Sequence, residues 1–439
     1  MRPTPTDREI ARLAIPALGA LVAEPLYVLA DTAVVGNIGT AELAGVALAG
    51  QALLTFHAMM IFLAYGTTAA VARLLGAGRE RDGALQAVQS LWIATAAGVA
   101  GAVLLWVTTD PIIALLGGSG EDSETIAGFA STYLRISVFG LPAMLIMLAS
   151  VGYLRGLQDT VRPLIVAVAT AVANLVLELV LVFGFGYGVG ASALSTVVAQ
   201  WSGALVMLAW VGRAVRSHGV SVRPRWGLIA RQAVVAGDLF LRTAALRGSF
   251  TVAVAAAARI GTVDLAAHEI VFQLWFTVAL ALDAVAIAGQ ALMGRFLGAG
   301  DVVGARRVGN RMLGWGLVTG MAFTLLLLAL RPVLPDVFSN DPEVIALAGF
   351  LMIHLALMQP INGLVFTLDG ILIGAGDMRF LAWAMVGAAA LFVPLALAVP
   401  ALDAGIGWLW GAIWLLMIAR AVALWLRYRS DTWLVTGVR

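Results

Sequence analysis

Two carboxylates in this chain stand where a charge is expensive. Asp31 lies deep in an apolar stretch, in Tyr27-Val28-Leu29-Ala30-Asp31-Thr32, and Glu178 lies inside another, in Asn174-Leu175-Val176-Leu177-Glu178. A carboxylate near the centre of a bilayer costs roughly 2.5–3.5 kcal/mol on insertion scales, so its presence there asks for a reason. Tyr27 and Asp31 are four residues apart, as are Asn174 and Glu178, so each pair shares one face of a helix. These four polar groups are expected to converge on one buried site. Removal from water favours the neutral form of a carboxylic acid, and a second carboxylate close by strengthens that or shares a cation. Such a pair can take up and release a proton or hold a small cation. The alternative is that both acids only satisfy neighbouring backbone and hydroxyl groups.

The second half of the chain has its own deep charges: Glu269, Asp283 and Asp369, with Arg242, Arg247 and Arg259. Opposite charges are present in comparable number, so substrate binding and structural ion pairing stand as alternatives. Asp369 is the deepest, on a stretch that also holds Gln359 and Asn362. Gln51, Gln200, Gln273 and Gln290 could line a cavity or join helices. His57, His268 and His354 show no metal-ligand spacing and are expected to pack, and no metal is expected. The run Gly184-Phe185-Gly186-Tyr187-Gly188-Val189-Gly190 has the look of a dinucleotide loop but falls between two apolar helices, so it is expected to be a tight turn. Pro16 and Pro25 interrupt the first apolar stretch, where a proline removes a backbone hydrogen bond and permits a kink.

The elements that carry these residues follow from composition. Of 439 residues, 61% are hydrophobic and 12% charged, against about 25% charged in an ordinary soluble domain. With a mean hydropathy of +0.97, the solvent for most of the chain must be lipid. The net charge of only +2, with basic residues spread between apolar runs, argues against nucleic acid as a partner. There is no cysteine, which excludes disulfides and thiolate chemistry. All 27 basic residues are arginine, so a Walker A lysine is absent and ATP hydrolysis by that route is excluded. No enzymatic cluster is visible, and no cofactor beyond a coupling ion is expected.

A spanning helix needs about 20 apolar residues. Windows of that kind predict helices near 13–36, 44–72, 84–108, 126–154, 162–185, 190–212, 230–259, 266–294, 308–330, 344–372, 379–400 and 405–427. No window alternates with period two, so a β-barrel is not expected. The fold class is all-α integral membrane with twelve transmembrane helices. The amino terminus resembles a signal peptide's charged start, but its apolar run continues to about Val35 and reads as an uncleaved first helix. Arginines gather after the even-numbered helices, as in Arg73, Arg79, Arg81, Arg155, Arg162, Arg213, Arg216, Arg295, Arg306 and Arg307. The segments after the third, fifth and eleventh helices hold none. The positive-inside rule then puts both termini in the cytoplasm. The composition is compatible with a bacterial inner membrane.

The chain also repeats itself. Ile38-Gly39-Thr40 with Glu42-Leu43-Ala44 returns as Ile260-Gly261-Thr262 with Asp264-Leu265-Ala266. Arg73 and Leu75-Gly76-Ala77-Gly78 return as Arg295 and Leu297-Gly298-Ala299-Gly300. Leu154, Gly156 and Asp159 return as Leu372, Gly374 and Asp377. Three landmarks in the same order predict two six-helix lobes, 1–212 and 229–439, joined by a cytoplasmic linker at 213–228. An even helix count makes them parallel repeats, the arrangement that commonly serves alternating access. The residues at the repeat positions of Asp31 and Glu178 are Ala253 and Ala396, so the first lobe is the specialised one.

At these residues the chain resembles the multidrug and toxic compound extrusion (MATE) family, in particular its DNA-damage-inducible-F branch. The stretches that carry the resemblance are Asp31-Thr32-Ala33-Val34-Val35-Gly36, Leu75-Gly76-Ala77-Gly78, Ala266-Ala267-His268-Glu269-Ile270 and Leu368-Asp369-Gly370-Ile371-Leu372-Ile373-Gly374-Ala375-Gly376-Asp377. The resemblance implies two lobes of six helices and export driven by H⁺ or Na⁺ antiport. It implies a first-lobe cation site at Asp31 with Tyr27, Asn174, Glu178 and Thr196, and a bend of the first helix at Pro16. Many members carry Asp where this chain has Glu178. Another branch's acid on the tenth helix falls at Asn362 here, which argues against that branch's cation site. The expected function is a secondary antiporter that exports amphipathic, often cationic small molecules, working as a monomer in membrane lipid. The alternative is a lipid-linked saccharide flippase of the same broad superfamily, for which a strongly cationic cavity would be expected; the first half's deep charges are acidic instead.

Overall fold

The computed structural model describes residues 4–117 and 122–437. Arg2 at the charged amino terminus and the centre of the acidic 109–125 segment lie outside the described residues. Lipid offers no partner for a backbone N–H or C=O, so an apolar chain satisfies those groups internally as helix. Among the described residues twelve helices are long and apolar enough to cross a membrane: α1 Pro5–Gly36, α2 Thr40–Gly76, α3 Glu80–Val107, α4 Ser123–Gly156, α5 Val161–Gly184, α6 Val189–Ser217, α7 Trp226–Ile260, α8 Thr262–Gly298, α9 Val302–Leu330, α10 Pro342–Gly374, α11 Met378–Ala401 and α12 Ile406–Arg429. Each expected span is there, and no strand occurs among the described residues. Short helices at Thr109–Leu116 and Leu334–Phe338 follow α3 and α9.

Several spans depart from a uniform α-helix. α2 breaks at Ile61, and α4 tightens to a 3₁₀ turn at Val138–Gly140 ahead of Pro142. α5 ends in a π-turn at Val180–Gly184, after which the glycine-rich run turns through Gly186 at φ 71°. By contrast, α1 runs as helix through both Pro16, half-buried, and Pro25, exposed.

The repeated sequence landmarks are helix ends, and the physical reason for their repetition is a shared cap. α2 closes with the Arg79 amide N–H on the Leu74 carbonyl at 2.9 Å and Gly78 at φ 69°; α8 closes with Asp301 N–H on the Phe296 carbonyl at 2.9 Å and Gly300 at φ 77°. α4 and α10 end the same way, Asp159 on Leu154 at 2.9 Å and Asp377 on Leu372 at 3.0 Å, with Gln158 and Gly376 in the left-handed region. The left-handed residue lets the chain double back to bond an otherwise orphaned carbonyl.

By contacts the chain forms two units. One is Gly19–Ala236, in which α4 packs on α2 and α3. Of the expected linker 213–228 only 218–225 lies outside the helices, because α6 runs on to Ser217 and α7 starts at Trp226; this short loop belongs to the same unit, with Gln89 accepting from the Arg225 amide at 2.7 Å and the Trp92 indole N–H donating to the Val222 carbonyl at 2.9 Å. The other is Gly237–Arg439 with Met1–Leu18, in which α10 packs on α8 and α9. The amino end of α1 is tied there by charge. Asp7 accepts from Arg311 at 2.6 Å and 2.5 Å and from the Trp315 indole at 2.8 Å, and Arg295 pairs with Glu9 at 2.6 Å. Asp7→Ala is expected to release this end. Amide hydrogen exchange over residues 5–18 should then accelerate several-fold while α10 stays protected; unchanged exchange would show that packing alone holds it.

Candidate functional site

Within Gly19–Ala236, α1, α4, α5 and α6 bring one polar cluster into an otherwise apolar interior. Asp31 projects from α1 and is buried. Its Oδ1 accepts from the Ser192 hydroxyl of α6 at 3.0 Å, and its Oδ2 from the Tyr133 hydroxyl of α4 at 3.5 Å. The Glu178 carboxyl, fully buried on α5, lies within side-chain hydrogen-bonding reach of Asp31. Among the described residues neither Glu178 oxygen receives a well-formed hydrogen bond, although the Ser192 hydroxyl lies beside it as well as beside Asp31. One helical turn before it, Asn174 is buried with its amide oxygen and nitrogen both unpartnered. One turn after Ser192, Thr196 shares a 2.8 Å hydrogen bond with the Tyr27 hydroxyl, and Tyr27 sits one turn before Asp31.

So Asp31 has Glu178 beside it, and Tyr27 and Thr196 meet one turn along; Asn174 stands one turn from Glu178. Ser192 and Tyr133 were not expected. Hydroxyls are unremarkable in membrane helices and carry no spacing signal, although the four-residue step from Ser192 to Thr196 resembles the steps that marked Tyr27–Asp31 and Asn174–Glu178. Among the described residues no arginine pairs with either acid. A buried polar group without a partner is costly, and here two carboxylate oxygens and a whole amide lack one. An ion or proton placed between the acids removes that cost. Sequence reasoning also passed over Glu24, whose carboxylate pairs with His57 Nδ1 at 2.8 Å. The expectation that His57 only packs is therefore corrected: a charged partner faces it from α1.

In the unit formed by Gly237–Arg439 with Met1–Leu18, Asp369 on α10 is clamped by two arginines. Arg242 of α7 donates to its Oδ2 at 2.5 Å and Arg420 of α12 donates to the same oxygen at 2.7 Å. The Arg242–Asp369 pairing was among the expected alternatives; Arg420 was missed although it stands buried near the middle of α12. Glu269 is exposed on α8 and Asp283 is half-buried further along the same helix. His268 and His354 join an aromatic cluster, with ring centroids 5.9 Å and 6.4 Å from Trp410. Among the described residues no three side chains of metal-binding type come together.

Comparison with known proteins agrees with this architecture. A family model named MatE matches residues 16–180 and 239–398. The chain is 34% identical over 429 residues to the chloroplastic protein DETOXIFICATION 44 of Arabidopsis thaliana, covering 94% of this chain and 81% of that one. It is 29% identical to the DNA damage-inducible protein F of Escherichia coli (strain K12), covering 98% and 94%. Among solved structures, the outward-facing conformation of a multidrug resistance MATE family transporter of the MOP superfamily matches with a TM-score of 0.88 at 19% identity, over 98% of this chain and 96% of that one.

Proposed function

The chain belongs to the MatE family, a multi-pass membrane transporter and not an enzyme, and from that premise we propose that it is a secondary antiporter. It exports amphipathic or cationic small molecules in exchange for H⁺ or Na⁺ by alternating access. The observation that carries this reading is the Asp31–Glu178 pair, two buried acids with well-formed hydroxyl hydrogen bonds on Asp31 and none on Glu178 among the described residues. Two carboxylates at that separation repel unless a proton or cation lies between them. With Asp31 as the hydroxyl-bonded carboxylate, a single proton held by Glu178 satisfies both. Losing that proton opens the site to a cation, whether the coupling ion or a cationic substrate. Tyr27, Thr196 and Asn174 add oxygen ligands around the same point, and Pro16 is where α1 would flex. The protein is proposed to act as a monomer, with both termini cytoplasmic in a bacterial inner membrane. The arginine-rich even-numbered loops support that orientation.

Proteoliposomes holding the full chain and loaded with a fluorescent organic cation test this directly. An imposed proton or sodium gradient is expected to accelerate release, and the gradient that does so identifies the ion. Release equally fast with neither gradient would refute antiport.

A further inference from the structure

We propose that the Glu24–His57 pair is a proton relay: it takes the coupling proton from the Asp31–Glu178 site and hands it to water on the cytoplasmic side. The inference rests on proton antiport as the function and on the orientation given above. Glu24 of α1 and His57 of α2 meet across 2.8 Å, between Glu24 Oε1 and His57 Nδ1. Both lie in apolar spans of Gly19–Ala236, the unit that holds the acid pair. Glu24, Tyr27 and Asp31 follow one another at steps of three and four residues, so they share one face of α1. Seven helical residues rise about 10 Å, beyond the reach of a direct proton transfer, and Tyr27 stands in that gap. Its hydroxyl lies within electrostatic reach of Glu24 on one side and of Asp31 and Glu178 on the other. It also shares a 2.8 Å hydrogen bond with Thr196. A hydroxyl accepts and donates at once, as a relay requires.

Exposure decides the direction. Asp31 is 7% exposed and Glu178 is fully buried, whereas the side chains of Glu24 and His57 are 49% and 20% exposed. A carboxylate turned toward lipid within a span costs roughly 2.5–3.5 kcal/mol, so the open side of Glu24 faces water. Glu24 lies amino-terminal to Asp31 on a helix that starts in the cytoplasm, so this water is on the cytoplasmic side of the acids. Histidine is the side chain that ordinarily changes charge between about pH 5 and 8, so it can give up a proton at cytoplasmic pH. Around the pair, Tyr27 and Asp31 stand on α1, Glu178 on α5 and Tyr133 on α4. The arginines on the same parts of α4 and α5 are engaged elsewhere, Arg135 by Asp110 at 2.8 Å and Arg162 by Asp159 at 3.3 Å. Glu42 and Arg73 lie roughly four turns away toward the two ends of α2. In the step itself the acid pair releases one proton, the Glu24–His57 pair takes it up through the hydroxyls between them, and it then gives one proton to water. The acid pair gains one negative charge and the Glu24–His57 pair returns to its starting charge.

Proteoliposomes holding the full chain and loaded with rhodamine 123, a fluorescent organic cation, test the relay by separating rate from driving force. At a fixed pH gradient, Glu24→Gln and His57→Gln are expected to slow proton-driven release roughly tenfold, less than the loss of a group that transfers the proton in a transition state, because water can partly stand in. The final concentration ratio should keep its wild-type value, because the acids that bind the proton are intact. Exchange of rhodamine 123 at equal pH moves no net proton and should keep the wild-type rate, which also shows that each variant is folded. Imidazole added to His57→Ala should restore proton-driven release. A static tie between α1 and α2 would slow both processes alike and give imidazole nothing to restore. The wild type supplies a test that needs no variant: D₂O should slow proton-driven release more than it slows equal-pH exchange. Variants that release at the wild-type rate, or equal isotope effects on the two processes, overturn the relay and leave antiport standing. Wild-type release that a proton gradient does not accelerate overturns proton antiport, and the relay with it.

Discussion

Asp31→Asn eliminates gradient-driven export while leaving the protein folded. The substitution keeps the size of the side chain and leaves an oxygen to accept from Ser192 and Tyr133, now 3.0 Å and 3.5 Å from Asp31. What it removes is the second ionisable group beside Glu178. With one acid left, no proton is shared and no cation is held between two carboxylates, so the cycle loses the step that couples ion entry to export. The size of the loss follows from the driving force. For an exported molecule of no net charge, exchange for one proton moves one elementary charge, and 100 mV is then worth roughly 2.3 kcal/mol, which sustains a concentration ratio of about 50-fold. Export by the variant should therefore stop near equal concentrations on the two sides, where the wild type at 100 mV holds about 50-fold. Proteoliposomes with an imposed potential and pH gradient measure the final ratio. A variant that still builds the wild-type ratio with the wild-type dependence on pH would show that Asp31 serves only to satisfy Ser192 and Tyr133. Glu178→Gln should lose the same coupling, because the proton must be shared by two acids. A difference between the two variants would assign the ion to one residue.

The parts of this fold and site that could be read from sequence are those where a single residue is expensive. Twelve apolar stretches stand out because lipid tolerates no other composition, and Asp31 and Glu178 because a carboxylate there needs a reason. The repeat landmarks stand out because a left-handed helix cap restricts which residues fit, as at Gly78, Gly300 and Gly376. Gln158 occupies the fourth such position at φ 61°, so there the conformation is shared although the residue type is not. What stayed hidden is inexpensive or ambiguous. Tyr133 and Ser192 bond Asp31 through hydroxyls that could equally have turned back to their own helices. The break of α2 at Ile61 has no proline or glycine beside it to announce it, and the continuity of α1 through Pro16 and Pro25 ran against the local rule. Nor does spacing show that the Asn362 amide is left without partners, since that depends on what the neighbouring helices place around it.

Close helix contact sets the second large effect, in the unit that holds α9 and α10. Without a hydrophobic force between helices in lipid, association relies on close packing, and small residues allow backbones to approach. Gly316 and Gly320 of α9 form a G-x-x-x-G face against α10. A Cβ at Gly316 would come within 2.5 Å of the Gly363 carbonyl oxygen, and one at Gly320 within 2.8 Å of Pro360 Cα. The contact is reciprocal: a Cβ at Gly363 would run into the Gly316 carbonyl oxygen. These neighbours are backbone atoms, so no rotamer change can relieve the overlap and the two helices must move apart. Gly363→Ala is therefore expected to destabilise the protein by about 3 kcal/mol, at the upper end for overpacking. Gly387 on α11 provides the opposite case, because a Cβ there meets nothing within 4 Å. Alanine at a helical position with free space should stabilise, by about 0.5–1 kcal/mol, through its better helix propensity. Thermal unfolding of the two variants in one detergent should move in opposite directions. If Gly363→Ala unfolds at the wild-type temperature, α9 and α10 are not held together by this glycine crossing.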